Sequence, residues 1–237
     1  MNNIVRIISF NELKQYVLNN AGDEVRSTFL LRNPRAYRFF PVEEGGDKNE
    51  MVIIGKTYDI EGGNYLVSCW SYLWNQENPS KFWEIFKHRN EIAIVSTIER
   101  VEDIINKNLS AIKNCVSKCN STAIHGKVTY YPYKEDGEHI NNGQQDPDAI
   151  VFHKPEECNG KRYKDEEEYR FAVRISGNSN IDTYIFNVIN PAKYIKEIWI
   201  NPNNKESDKL KKEIRLCLSR CKIPVKKQMG QVWQLEE

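Results

Sequence analysis

The residue types best suited to chemistry lie in one run, Asp165-Glu166-Glu167-Glu168-Tyr169-Arg170. Read as the start of a strand, its side chains alternate, so Glu166, Glu168 and Arg170 share one face. Two carboxylates about 7 Å apart along a strand suit a catalytic pair, in which one stabilises a cation and the other handles a proton. The same spacing also suits an acidic, solvated edge that discourages strand-to-strand aggregation.

Other constellations carry less. Cys115/Cys119 and Cys217/Cys221 are both C-x-x-x-C pairs. They could close a tetrahedral zinc site, but they fall on the apolar stripes of expected helices, where cysteine acts as a small core residue. From Lys205 to Lys227 nine Lys or Arg face three acids. That local excess can steer an anionic partner or simply solvate a helix face. The sequence holds no G-x-G-x-x-G, Walker, G-x-S-x-G or H-E-x-x-H motif, so phosphate-loop, serine-hydrolase and zinc-protease chemistry lack their defining residues.

Bulk composition narrows the class further. The 237 residues include 34 Lys and Arg against 33 Asp and Glu, a net charge of +1, which excludes a polybasic nucleic-acid binder. Mean hydropathy is −0.66, and no window approaches the ~18 apolar residues of a membrane helix. The opening MNNIVRIISFNELKQYVLNN shows no secretory pattern, so a cytoplasmic location and six reduced cysteines are expected.

The elements that must position these residues follow from periodicity and punctuation. Ser9 and Glu12 form a capping box ahead of Phe10, Leu13 and Val17, which predicts an N-terminal helix within 9–20. Strands are expected at 28–32, 51–54, 65–69, 91–97, 126–131 and 165–176, the last pairing with 182–189 as a hairpin. Asn78-Pro79 opens a helix with Phe82, Trp83 and Phe86 on it. A long amphipathic helix follows 91–97, with Val101, Ile105, Ile112, Val116 and Cys119 near one face. Residues 134–149 form a long polar loop. The tail reads strand 197–201, helix 205–221 and strand 223–227, a closing βαβ unit. No repeat or linker divides the chain, so the reading is a single α+β domain over 1–237, with mixed, mainly antiparallel sheets and flanking helices.

Several blocks recur in a familiar order: Val67-Ser68-Cys69-Trp70; Phe82-Trp83-Glu84-Ile85-Phe86; Glu91-Ile92-Ala93-Ile94-Val95-Ser96-Thr97; Gly126-Lys127-Val128-Thr129-Tyr130; Phe152-His153-Lys154; and Tyr163 through Arg170. In this order they resemble the bacterial domain-of-unknown-function family numbered 2971, over residues 28–228. One departure is that Arg32-Asn33-Pro34-Arg35 stands where the family often has an Asn-Asp-Pro-type element. The layout also resembles an ADP-ribosyltransferase of the Arg–Ser–Glu type, with its split β core.

That resemblance implies NAD as a substrate, with no metal expected. It implies a macromolecular acceptor (RNA, DNA or protein) and a bacterial toxin or phage-defence effector with a possible antitoxin or inhibitor protein. It would give Arg32 a phosphate of NAD to hold, and Ser96, with Ser68 as its rival, the task of orienting the second glutamate. Glu168 would bind the nicotinamide ribose and stabilise its developing cation, and Glu166 would take the acceptor's proton. Trp70 or Tyr130 would stack on nicotinamide or pack in the core. Arg170 would neutralise the glutamates or contact an acceptor phosphate. Two other readings use the same residues. Glu166 and Glu168 with Asp146 or Asp148 could hold Mg²⁺ in a nuclease-like site. Alternatively, a non-catalytic binding or antitoxin module would use the acidic strand and basic tail for association.

Overall fold

The computed structural model describes residues 3–10, 13, 18–21, 24–32, 52–54, 64–72, 83, 92–115, 118–119, 123–131, 151–155, 157–158, 161–162, 164–176, 183–188, 190–218, 223–229 and 232–233. In chain order the strands are β1 (Asn3–Ile8), β2 (Leu18–Ala21), β3 (Glu24–Arg32), β4 (Val52–Ile54), β5 (Asn64–Tyr72), β6 (Ile92–Thr97), β7 (Lys118–Cys119) and β8 (Ile124–Tyr131). They continue as β9 (Val151–Pro155), β10 (Glu157–Cys158), β11 (Lys161–Arg162), β12 (Glu168–Ser176), β13 (Thr183–Val188), β14 (Glu197–Ile200), β15 (Val225–Met229) and β16 (Val232–Trp233). Two α-helices are described, α1 (Ile98–Cys115) and α2 (Ser207–Cys217). The class is α+β, with a mixed, mostly antiparallel sheet and few helices. No helix among the described residues is long and apolar enough to cross a membrane.

The chain packs as two compact units, each assembled from separate stretches. The first takes residues 1–30, 70–105 and 185–237, and the second takes 31–69 and 106–184. Crossings occur inside β3, β5, α1 and β13, within regular elements rather than at a linker.

In the first unit β1 lies antiparallel between β6 and the Tyr72 end of β5. β6 continues to β14, and β15 then adds in parallel. The run IAIVST of β6 is buried at every position, as expected of a strand covered on both faces. Val5, Trp83, Ala93, Val95 and Trp199 form one core cluster, with Ile7 packed on it. A buried valine such as Val5 or Val95 contributes about 1.5–3 kcal/mol by leaving water.

Thr97 ends β6 and caps α1, its hydroxyl accepting the Arg100 N–H at 3.3 Å. Ile98, Val101, Ile104, Ile105, Leu109 and Ile112 form the buried stripe of that helix, and Glu99, Asp103, Lys107 and Ser110 are exposed. In α2, Leu210 and Ile214 are buried. The parallel pairing of β14 with β15 around α2 matches the expected closing βαβ unit.

In the second unit β12 pairs antiparallel with β8, β8 pairs in parallel with β9, and β9 carries β4. β5 adjoins β12 in the sheet order, and β3 reaches β5 where Arg32 lies opposite Val67.

Three local expectations change. The N-terminal helix expected within 9–20 starts where expected, with Phe10 helical and the Leu13 N–H donating to the Ser9 carbonyl at 3.0 Å. It stops short of Leu18, because Leu18–Ala21 is strand β2, paired with β3. The apolar run ahead of it, Ile4 to Ile8, is strand β1: four closely spaced β-branched residues favour a buried strand. β13 pairs with β3 and not with β12, so 165–176 and 182–189 are not a hairpin. Cys119 lies on β7, beyond the end of α1, so Cys115 and Cys119 do not share a helix. Cys221 and the loop 134–149 lie outside the described residues.

Candidate functional site

The acidic run does not enter the sheet as a uniform strand. Lys164–Glu166 form a 3₁₀ turn, with the Glu167 N–H donating to the Lys164 carbonyl at 3.3 Å. Glu167 then takes a left-handed backbone with φ 43°, and β12 begins only at Glu168. Strand alternation therefore links Glu168 with Arg170 but does not extend back to Glu166. The expected placement of Glu166 and Glu168 on one strand face is corrected accordingly. The physical reason is the turn, since a left-handed residue breaks the two-residue period.

Glu168 and Arg170 meet in a forked ion pair. Arg170 Nε donates to Glu168 Oε1 at 2.6 Å and Nη2 donates to Oε2 at 3.0 Å. The two side chains are 0% and 7% exposed. Charge-assisted bidentate contacts of this kind are the strong class of hydrogen bond. Gly126 stands directly opposite Arg170 on β8, where the missing side chain leaves room for the guanidinium. Apolar Val128 and Ala172 cluster on the same face, with Cys69, Ile124 and Tyr130 packed against them.

Tyr130 reaches the start of β12. Its phenolic oxygen accepts the backbone N–H of Glu168 at 2.8 Å, one of the bonds the β8–β12 ladder would otherwise have to supply. Glu166, on the turn, is buried at 8% exposure. The opposite face of β12 is aromatic. Tyr169 and Phe171 stack obliquely with His125, centroids 5.3–5.9 Å apart. The His125 Nδ1 lies 2.7 Å from the Tyr169 hydroxyl.

The remaining candidates separate. Arg32 ends β3 in the second unit, opposite Val67. Ser68 is buried on β5 in the same unit. Its neighbour Cys69, a thiol not engaged in a disulfide, packs on the Val128–Ala172 face. Alternation along β5 therefore turns Ser68 to the other face from Glu168. Ser96 belongs to the first unit, is fully buried, and donates its hydroxyl proton to the Tyr194 carbonyl. Trp70, also in the first unit, is buried at 3% exposure. Asp146 and Asp148 lie outside the described residues. Among the described residues no group of three or more His, Cys, Asp or Glu could hold a metal ion.

The second unit thus brings together Glu168, Arg170 and Tyr130, with Glu166 buried on the turn that precedes them. Sequence reasoning passed over Cys69 and Gly126, which line the same face. The signal for Gly126 was its place two residues before Val128 in a strand facing an arginine. The signal for Cys69 was its alternation with Ser68. No family model, curated protein or solved structure matches the chain.

Proposed function

We propose that the chain is an ADP-ribosyltransferase that consumes NAD and modifies a macromolecule, with Glu168 as its catalytic carboxylate. The observation that carries this reading is the buried Glu168 carboxylate, placed on the first residue of a central strand and aimed by a two-point fork from Arg170. A carboxylate offers about four lone-pair directions. Arg170 donates to one on each oxygen, and in this reading the same carboxylate would bind a ribose hydroxyl. A fixed carboxylate beside a carbon that becomes positive in the transition state is electrostatic preorganisation.

In the reaction, the bond between the ribose C1′ and the nicotinamide nitrogen breaks, and the electron pair leaves with nicotinamide. The acceptor nucleophile forms the new bond to C1′, and its proton goes to Glu166. Glu168 stabilises the positive charge on the ribose, and Arg170 keeps Glu168 from swinging. Arg32, at the end of β3, supplies a cation for a phosphate of NAD. The order of Arg32, Ser68 and Glu168 on β3, β5 and β12 of one unit supports a split ADP-ribosyltransferase-like core. The buried position of Ser68 away from the Glu168 face leaves the orienting task to Arg170. A role as a cytoplasmic bacterial toxin or phage-defence effector, with an antitoxin partner, follows from the family resemblance.

The test incubates the protein with NAD and a nucleic-acid-containing lysate, with and without EDTA, and follows nicotinamide release. Release that survives EDTA and disappears in Glu168→Gln supports the transferase, provided the variant retains its melting transition. No release, together with nucleic acid cut only in the presence of Mg²⁺, refutes it in favour of a nuclease.

A further inference from the structure

The start of β12 contains an arrangement that an ordinary antiparallel ladder does not need. β8 and β12 pair through Tyr169↔Lys127, Arg170↔Gly126, Phe171↔His125 and Ala172↔Ile124. One residue earlier the ladder has no regular continuation, because Glu167 is left-handed and 164–166 is a 3₁₀ turn. The Glu168 N–H still donates, but to a side chain, the Tyr130 hydroxyl at 2.8 Å. Tyr130 lies three residues beyond Lys127 on β8, and its ring packs on the Val128–Ala172 cluster. That contact sets the direction of the phenol.

We infer that Tyr130 is a positioning residue for Glu168: its phenolic oxygen fixes the Glu168 backbone, while Arg170 fixes the carboxylate. Glu168 is then held at both ends, with three hydrogen bonds spread over its N–H and its two carboxylate oxygens. A glutamate has three rotatable side-chain bonds, and anchoring only its carboxylate leaves the backbone end free to shift at the turn. Anchoring both ends defines the line along which the carboxylate faces its substrate. This replaces stacking on nicotinamide as the work of Tyr130, because its oxygen is committed to the backbone N–H of Glu168 itself. The catalytic part of the inference rests on the transferase reading; the positioning part does not.

The experiment compares wild type, Tyr130→Phe, Glu168→Gln and the double variant. It uses nicotinamide release at varied NAD, together with amide hydrogen exchange resolved at Glu168. Phenylalanine keeps the ring and its packing and removes only the oxygen. The expected result is a fall in kcat of about tenfold, the worth of roughly one hydrogen bond, with KM for NAD unchanged. The double variant should be no slower than Glu168→Gln alone. Exchange at the Glu168 amide should rise by about tenfold, while Phe171 and Val173 stay protected. A raised KM at constant kcat would overturn the inference, because it means that Tyr130 touches NAD. Unchanged exchange at Glu168 would also overturn it. A wild type that releases no nicotinamide, yet whose Glu168 amide depends on Tyr130, refutes the transferase reading and upholds the positioning.

Discussion

Replacing Arg170 by methionine removes the guanidinium and leaves the Glu168 carboxylate buried without its fork. The two hydrogen bonds are 2.6 and 3.0 Å long, and the side chains are 0% and 7% exposed. At about 3 Å and an effective dielectric of about 20, the direct attraction is about 5 kcal/mol. Desolvation of both ions opposes most of it, so the pair as a whole contributes little net stability. Removing one partner is different, because the surviving charge keeps its desolvation cost without the attraction. The expected loss for Arg170→Met is therefore about 3–5 kcal/mol. In a chain of this length that corresponds to a melting temperature lower by roughly 6–20 °C. Adding Glu168→Leu removes the stranded charge and should restore most of the loss, giving a coupling of at least about 2 kcal/mol in a double-mutant cycle. Arg170→Lys should fall between, since an ammonium cannot fork. Urea unfolding, with amide exchange at Phe171 and Val173 as the local report on the second unit, measures each value. If Arg170→Met melts within about 2 °C of wild type, or if the two substitutions simply add, the buried-pair reasoning is wrong.

Two further outcomes follow from local geometry. Glu167 sits at φ 43°, which costs a non-glycine residue about 1–2 kcal/mol. Glu167→Gly or Glu167→Asn should accordingly be neutral or stabilising by up to about 1 kcal/mol, whereas Glu167→Val should destabilise, all read by thermal melting. Glu99, in the first turn of α1, has its carboxyl held below the usual 4.5 by its own backbone amide and by the Thr97 hydroxyl. A depressed carboxylate contributes stability above its unfolded value and loses it as pH falls through the folded one. Protection of the first turn of α1 should thus weaken below about pH 4.5. Glu99→Gln should flatten that dependence, which exchange at the Arg100 amide would follow.

Much of the fold was legible because it rests on local signals. The 91–97 strand is a compact apolar run and is buried at every described position. The long helix after it and the helix of the closing strand–helix–strand carry apolar stripes that their burial follows. The apolar stripe through Val101, Ile105 and Ile112 needs no long-range information. The N-terminal segment was less legible. The capping box precedes a helical Phe10, but nothing local announced that Leu18–Ala21 would leave the helix to pair with β3, or that the apolar run before the helix would become the partner of the fully buried β6. The partner of β13 could not be read locally either, since a hairpin and a long-range pairing leave the same alternation.

By itself, the sequence determined the class, the placement of most central elements, and the run in which a carboxylate and an arginine two residues apart must meet if the chain is extended. Tertiary structure decided where that extension begins, at Glu168 rather than Glu166, because the backbone conformation at Glu167 depends on what closes the turn. It also decided which serine faces what. Ser96 donates to Tyr194, 98 positions away, and Ser68 is turned from Glu168 by the alternation that brings Cys69 onto the Val128–Ala172 face. The Tyr130 contact has the same origin. A side chain 38 residues from Glu168 becomes its neighbour only when β8 and β12 align, and register is set by the packing of whole strands rather than by any local preference.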